Sequence, residues 1–395
     1  MVTLNPQIIK IPAFMTKFID VDNLSTFQKV KLIIKGKLTT AVFKTLMTNN
    51  ISGTSPVVEE FEAKCANKFD RKYGIAVSNG SVALDLALQL LDLKEGDEVI
   101  IPSFTIISCL SAVIRTKAKP VFCDVDNLTW NMSFENVQEK ITDKTKAIVV
   151  VHTYGLVCDV EKIKEHCVDK EIKIIEDTAE AHGQHINDIK CGTFGDISTL
   201  SFYANKHITT GEGGLLLTDS DTFHEKAKEM RNLGFNNTKR FQHENFYWNY
   251  RLSGIQAALG ISQINSLEKT IKQKQTQGEY YQTLLSDISD RVQLPLSKWK
   301  NTYNHYWVFG IVLKVDTERD NIMFQLAEQG VQTRPFFWPL HKQEALRKMY
   351  KTNDKLPVSE YLGKCGFYIP IGNHINKKDQ QIISDKICKI IQSID

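Results

Sequence analysis

From about Ser52 onward, short apolar runs bounded by turn residues alternate with helical patterns, and this alternation constrains the fold more than any other feature of the 395-residue chain. The runs are Val99–Ile101, Pro120–Val125, Ala147–Val151, Ile172–Ile175, Thr199–Phe202 and Leu215–Leu217. Each is too short for a buried helix and too continuously apolar for a half-exposed strand, so each reads as a strand covered on both faces. Between them lie helical patterns such as Val82–Leu91, with Leu86 and Leu90 one turn apart. Strands that alternate with helices imply a mainly parallel sheet with helices on both sides, an α/β architecture. A long helical stretch, Ser253 to Leu285, then leads into a smaller mixed region. The expected organisation is a basic segment with a first helix over 1–50, a large domain over 51–270 and a small C-terminal α/β domain over 271–395. No internal repeat or low-complexity tract interrupts it.

Charge and cysteine content narrow the function classes. With 49 basic and 46 acidic residues the chain carries +3, too little for a general argument toward nucleic acid. The surplus is local: the first fifty residues hold seven lysines against Asp20 and Asp22. Lys29 to Met47 has helical apolar spacing, read either as a surface helix packed on the body or as a membrane-surface or partner-binding element. No apolar run approaches about 18 residues, and the signal-peptide pattern is missing, so neither a membrane span nor export is expected. The eight cysteines, Cys65, Cys109, Cys123, Cys158, Cys167, Cys191, Cys365 and Cys388, form no C-x-x-C pair. They read as core residues of a protein in the reducing cytoplasm, with no metal site expected.

Three segments carry residues suited to chemistry. Ser78-Asn79-Gly80-Ser81 leads directly into a helix, with Ser81 at the expected N-cap. Free N–H groups and the positive helix end there suit a phosphate, although a plain capped helix reads the same way. Ile174-Ile175-Glu176-Asp177-Thr178-Ala179-Glu180 ends a strand in three acids, where ligands of open α/β sheets bind. An acid there can serve a ligand, because a buried carboxylate needs a partner, or can simply cap the strand end. Finally, Lys206 follows a strand by a few residues and precedes the glycine-rich Gly211-Glu212-Gly213-Gly214. Such a lysine can be a Schiff-base nucleophile, a phosphate ligand or a solvated surface residue, and the P-loop order is absent. Taken together, a phosphate cradle, an Asp to pair with a protonated ring nitrogen and a Lys to hold the cofactor are the working parts of a pyridoxal-phosphate site.

With these motifs the chain resembles the DegT/DnrJ/StrS sugar-nucleotide aminotransferases. The resemblance runs from about Thr45 to near the C-terminus and includes Asn79-Gly80-Ser81, Gly96-Asp97-Glu98-Val99-Ile100-Ile101-Pro102, Pro120-Val121-Phe122, His152-Thr153-Tyr154-Gly155, Glu176-Asp177, Ser201-Phe202-Tyr203, Gly211-Glu212-Gly213-Gly214 and Asn249-Tyr250-Arg251-Leu252. It implies the aspartate-aminotransferase-like fold and pyridoxal 5′-phosphate as cofactor. It further implies Lys206 as the Schiff-base lysine, Asp177 at the pyridine nitrogen and Glu180 at the phenolic oxygen. Gly80, Ser81 and Ser201 would hold the phosphate, joined by Asn249 from the other subunit of a homodimer.

A narrower resemblance, through Glu180, Asn205-Lys206 and Thr333-Arg334-Pro335-Phe336-Phe337-Trp338-Pro339-Leu340-His341, is to the branch that aminates GDP-4-keto-6-deoxymannose at C4 with L-glutamate as donor. It makes Arg334 and His341 candidates for the nucleotide-sugar site and implies a role in O-antigen or other polysaccharide synthesis. UDP- or dTDP-linked keto sugars are the alternative substrates. The family's dehydratase branch carries His where this chain has Lys206, and a non-catalytic regulator would not need both Lys206 and Asp177. One departure concerns Ile106, where the family usually stacks an aromatic ring on the cofactor, an interaction worth about 0.5–1.5 kcal/mol beyond area burial. Phe104 is the candidate substitute. The other departure is an N-terminal extension of about 25 residues beyond the usual start of relatives.

Overall fold

The computed structural model describes residues 37–235, 240–314, 319–350 and 353–394. The basic leader before residue 37, including the start of the helical pattern at Lys29, lies outside the described residues. Helix α1 (Lys37–Met47) lies against a later helix of the body, and α2 (Pro56–Lys68) leads to strand β1 (Tyr73–Val77). Then follow α3 (Gly80–Gln89), β2 (Glu98–Pro102), α4 (Ile107–Arg115), β3 (Lys119–Cys123), β4 (Thr145–Val151), α5 (Val160–Val168), β5 (Lys173–Asp177), β6 (Ile197–Ser201) and β7 (Gly214–Thr218). These seven strands form one sheet in the order β1-β7-β6-β5-β4-β2-β3. Every pairing is parallel except those of β7, which runs against both β1 and β6. The six sequence-read runs are all strands here. Strand β1 escaped the sequence reading because Gly74 and Ala76 dilute its apolar signal.

The direction of β7 follows from its connection. A parallel return needs a crossover of a dozen or more residues, usually a helix. The segment from Phe202 to Gly213 contains no helix and folds on itself: Phe202 N–H donates to Gly213 O at 2.8 Å, and Thr210 N–H to Phe202 O at 2.9 Å. Lys206 sits in this reversal.

Helices α6 (Asp221–Arg231), α7 (Gly254–Ile264) and α8 (Leu267–Leu284) follow. The helical stretch expected from about Ser253 to Leu285 is helical here, divided into two helices. A capping box between Ser253 and Gln256 opens α7, and the chain turns at Asn265-Ser266, whose short polar side chains favour caps over helix interiors. A second, antiparallel sheet joins β8 (Val292–Gln293), β9 (Phe309–Leu313), β10 (Arg334–Pro335) and β11 (Gly366–Ile369) in the order β8-β9-β11-β10. Helices α9 (Arg319–Glu328), α10 (Pro357–Cys365) and α11 (Lys377–Gln392) accompany it. No helix among the described residues is long and apolar enough to cross a membrane.

Glu176 fixes the end of β5. Its buried carboxylate accepts from the N–H groups of Gly192 (2.6 Å), Phe194 and Gly195 (both 2.9 Å) and from His152 Nε2 (3.0 Å). His152 Nδ1 accepts from Cys158 N–H at 3.2 Å, so the ring proton sits on Nε2 and points at Glu176. Cys191 completes a His–Glu–Cys cluster, but the carboxylate oxygens are already engaged by main-chain donors and the imidazole donates rather than ligates. Burial pushes the Glu176 pKa up, and the His152 and main-chain bonds outweigh it, leaving the carboxyl below its usual range. A depressed folded pKa contributes stability above the unfolded value of about 4.3, and that contribution fades as pH falls through the folded pKa. Glu176→Leu should therefore destabilise the protein by about 3–5 kcal/mol by orphaning buried donors. In denaturant titrations, the stability gap between wild type and Glu176→Gln should narrow below about pH 4.

Candidate active site

The site lies at the carboxyl ends of the parallel strands, the position at which open α/β sheets bind ligands. Helix α3 begins there with its N-terminus open. Its N-cap is Asn79, whose side chain accepts from Val82 N–H at 3.0 Å, and not Ser81 as the sequence suggested. The shift by two residues puts Gly80 and Ser81 inside the first turn, with N–H groups free of intrahelical partners. Gly80 has to be glycine, because a Cβ there would lie 2.7 Å from Ser201 Cβ. A Cβ on Gly214, at the start of β7, would lie 2.3 Å from Asn79 O. The helix end is thus pressed against the ends of β6 and β7. Ser81 Oγ and Ser108 Oγ are 2.6 Å apart at the same mouth. Main-chain donors, hydroxyls and the positive helix end together make an anion cradle.

Asp177 is the last residue of β5, between Val151 of β4 and Thr199 of β6. One carboxylate oxygen accepts from Ala179 N–H at 3.0 Å, the other lies 3.9 Å from the Cys109 thiol, and the Thr199 hydroxyl also helps hold the carboxylate. Burial raises its pKa, opposed by the Ala179 bond and Lys206. A buried carboxylate that lines the cleft and has no ion pair among the described residues fits a protonated ring nitrogen. Glu180 accepts from Tyr154 N–H at 2.9 Å, and Tyr154 holds φ +60 to present it. Burial raises the Glu180 pKa too, against the attraction of Lys206. Lys206 Nζ lies 3.9 Å from Glu180 Oε1 and is itself depressed by burial, an effect that Glu180 and Asp177 oppose. The amine and the two acids therefore bias one another's protonation from buried positions. The residues fit pyridoxal phosphate: an anion cradle, a buried carboxylate and a buried amine converge on one cleft.

These residues line one open cleft of about 2120 Å³. Gly80, Ser81, Ile106, Asp177, Glu180, Ser201, Lys206 and Arg334 all face it. Two predicted residues do not. His341 is buried, with Nδ1 2.6 Å from Ser103 Oγ and Nε2 3.1 Å from Glu360, so it braces the wall behind the cleft. Asn249 sits on the exposed surface, bridged to Asn232, away from this chain's own cleft. Phe104 is fully buried in an aromatic cluster with Tyr154, Phe336 and Phe337, and so cannot take the stacking role left open by Ile106.

Sequence reasoning missed Trp307 and Lys274, which also line the cleft. Trp307 gave no signal, since an aromatic in an apolar run reads as core. Lys274 did give one. It lies on the buried stripe of α8 with Leu267, Ile271, Gly278 and Tyr281, where a lysine needs a reason. Nearby, burial keeps three imidazoles neutral: His182 is pushed down to about 3, His305 to about 4, and His207 well below its usual value.

Comparison with known proteins agrees with this geometry. The model of the DegT/DnrJ/EryC1/StrS aminotransferase family matches residues 33–388. GDP-perosamine synthase of Escherichia coli O157:H7 is 37% identical over 337 residues, covering 85% of this chain and 91% of that protein. The enzyme of the same name from Vibrio cholerae is 37% identical over 293 residues, covering 74% and 79%. The crystal structure of an aminotransferase from Psychrobacter cryohalolentis superposes with a TM-score of 0.84 at 27% identity, covering 90% of this chain and 97% of that one. The matched fold is the aspartate-aminotransferase-like one, and pyridoxal 5′-phosphate is the cofactor it carries. The chain belongs to the DegT/DnrJ/EryC1/StrS aminotransferase family.

Proposed function

We propose that the protein transfers an amino group from L-glutamate to C4 of GDP-4-keto-6-deoxymannose, giving GDP-perosamine, and works as a cytoplasmic homodimer with shared active sites. The observation that carries the reading is the convergence of Lys206, Asp177 and the α3 cradle in one cleft. The likeness to two GDP-perosamine synthases supports the substrate. The cleft's volume also exceeds the range of about 300–1,000 Å³ usual for a single small ligand, so a nucleotide sugar has room beside a cofactor.

Bound pyridoxal phosphate supplies a carbonyl that captures amines and a ring that takes up carbanion charge. The chain's own residues do the rest. Gly80, Ser81 and Ser201 hold the phosphate, and Asp177 keeps a proton on the ring nitrogen. The Lys206 amine, whose pKa burial lowers so that it is more readily available in its unprotonated form, takes the proton from the donor's α-carbon and returns one to the acceptor's former carbonyl carbon. One residue serves both roles because the released amine stays beside the carbon it deprotonates. Glu180, with its raised pKa, holds a proton toward the ring's phenolic oxygen. Arg334 at the cleft mouth offers its guanidinium to the diphosphate. His341, braced by Ser103 and Glu360, supports the wall rather than touching sugar.

The homodimer reading rests on the segment around Asn249. Phe241, Phe246 and Trp248 are 77%, 103% and 66% exposed there, an apolar surface that a second copy would cover while Asn249 reached its phosphate.

Three outcomes test these assignments. Wild type with L-glutamate and GDP-4-keto-6-deoxymannose should release one 2-oxoglutarate per amino sugar, measured by mass spectrometry, and Lys206→Ala should lose at least about a thousandfold in rate. Turnover of only a UDP- or dTDP-linked keto sugar would contradict the substrate and leave the family intact. Mixing inactive Lys206→Ala chains with Asn249→Ala chains should recover activity through hybrid dimers that hold one intact site, whereas a monomer would show none. In pH–rate profiles, Glu180→Gln should stay active and lose the alkaline limb that Glu180 deprotonation imposes on wild type.

A further inference from the structure

Lys206 Nζ lies 3.7 Å from the centroid of the Trp307 indole ring, and among the described residues no hydrogen-bond acceptor reaches it. Glu180 Oε1, at 3.9 Å, is an ion-pair neighbour beyond hydrogen-bond range. The indole is only 7% exposed, and its own N–H is unpartnered among the described residues. No side-chain hydrogen bond therefore aims the ring. Its placement comes from packing on Tyr154, at 5.8 Å between centroids, and from its main chain. That main chain is held by Lys274, whose buried Nζ donates to Trp307 O at 2.8 Å.

Burying Lys274 without an acidic partner is costly, and it stands close enough to Lys206 for the two charges to repel. Its single bond goes to the residue that carries the Lys206 contact. An ammonium over the face of an indole is attracted by the ring quadrupole, more strongly when water is excluded. The groups facing the Lys206 amine are thus Asp177 and Glu180, which favour its charge, Lys274, which repels it when charged, the neutral His182 imidazole, and the Trp307 face.

We propose that Trp307 is a positioning residue that seats the protonated, unbonded amine of Lys206 on its indole face, ready for return to the reacting carbon. The proposal rests on the reading of Lys206 as the amine that exchanges protons. A structural tryptophan would fill the same volume without affecting the protonation of Lys206, and this separates the two roles.

The test is the pH midpoint of Lys206 acylation by an amine-reactive reagent, read by peptide mass spectrometry on the full chain free of cofactor. Trp307→Leu should lower the midpoint by about one pH unit, which leaves about tenfold more unprotonated amine at a fixed lower pH. Trp307→Phe should restore at least half of the shift. If the leucine variant does not fold, global incorporation of fluorinated tryptophan weakens the ring face at nearly constant shape and should lower the midpoint in the same direction. An unchanged midpoint in folded Trp307→Leu or in fluorinated protein, or no recovery with phenylalanine, overturns the proposal. Failure of wild type to turn yellow with added pyridoxal phosphate would instead refute the role given to Lys206, independently of any midpoint.

Discussion

A primary amine works as a base near neutral pH only if its surroundings oppose its charge without abolishing its proton. In the role proposed for Lys206, its surroundings supply both halves of that balance. Burial lowers the pKa of the amine, and Glu180 and Asp177 pull it back. Burial raises the pKa of both acids, and the amine and their main-chain donors oppose that rise. The protonation of each of the three groups therefore depends on the other two. The fold provides the geometry: β5 delivers Asp177, its trailing turn delivers Glu180, and the non-helical reversal between β6 and β7 delivers Lys206.

The second-layer contacts serve the same end. Glu176 and Asp177 are adjacent on β5 and point to opposite faces, as strand alternation requires. One gathers the 192–195 loop and His152, and the other faces the cleft. Fixing the first holds the second in register. The small sheet contributes in a similar way, since β9 follows directly from Trp307, and β10 and β11 bring Arg334 and Tyr368 to the cleft.

Much of this was legible in the sequence. Six strands declared themselves as apolar runs because most of their residues are buried on both faces of the large sheet, whether the strand is parallel or, like β7, antiparallel. Gly80, Asp177 and Lys206 were readable because strand ends and glycine turns mark where an α/β sheet binds ligands. What stayed hidden depended on three-dimensional closeness. The cap moved from Ser81 to Asn79 because only the approach of Ser201 and Gly214 fixes where α3 starts. The break at Asn265-Ser266 lies within otherwise continuous helical periodicity. His341 looked like a ligand-binding residue until Ser103 and Glu360 were found on its two ring nitrogens. Phe104 lies two residues from Ile106, yet it is turned into the aromatic cluster. Trp307 and Lys274 come from distant segments, and no local pattern links either to Lys206.

The central claim is that Lys206 is the amine on which the chemistry turns. The most direct measurement is borohydride trapping of the purified protein with pyridoxal phosphate, followed by peptide mass mapping. The account predicts one stable cofactor adduct per chain, carried by the peptide that contains Lys206 and absent from Lys206→Ala. An adduct confined to another lysine, Lys274 included, or no adduct at all, would contradict it.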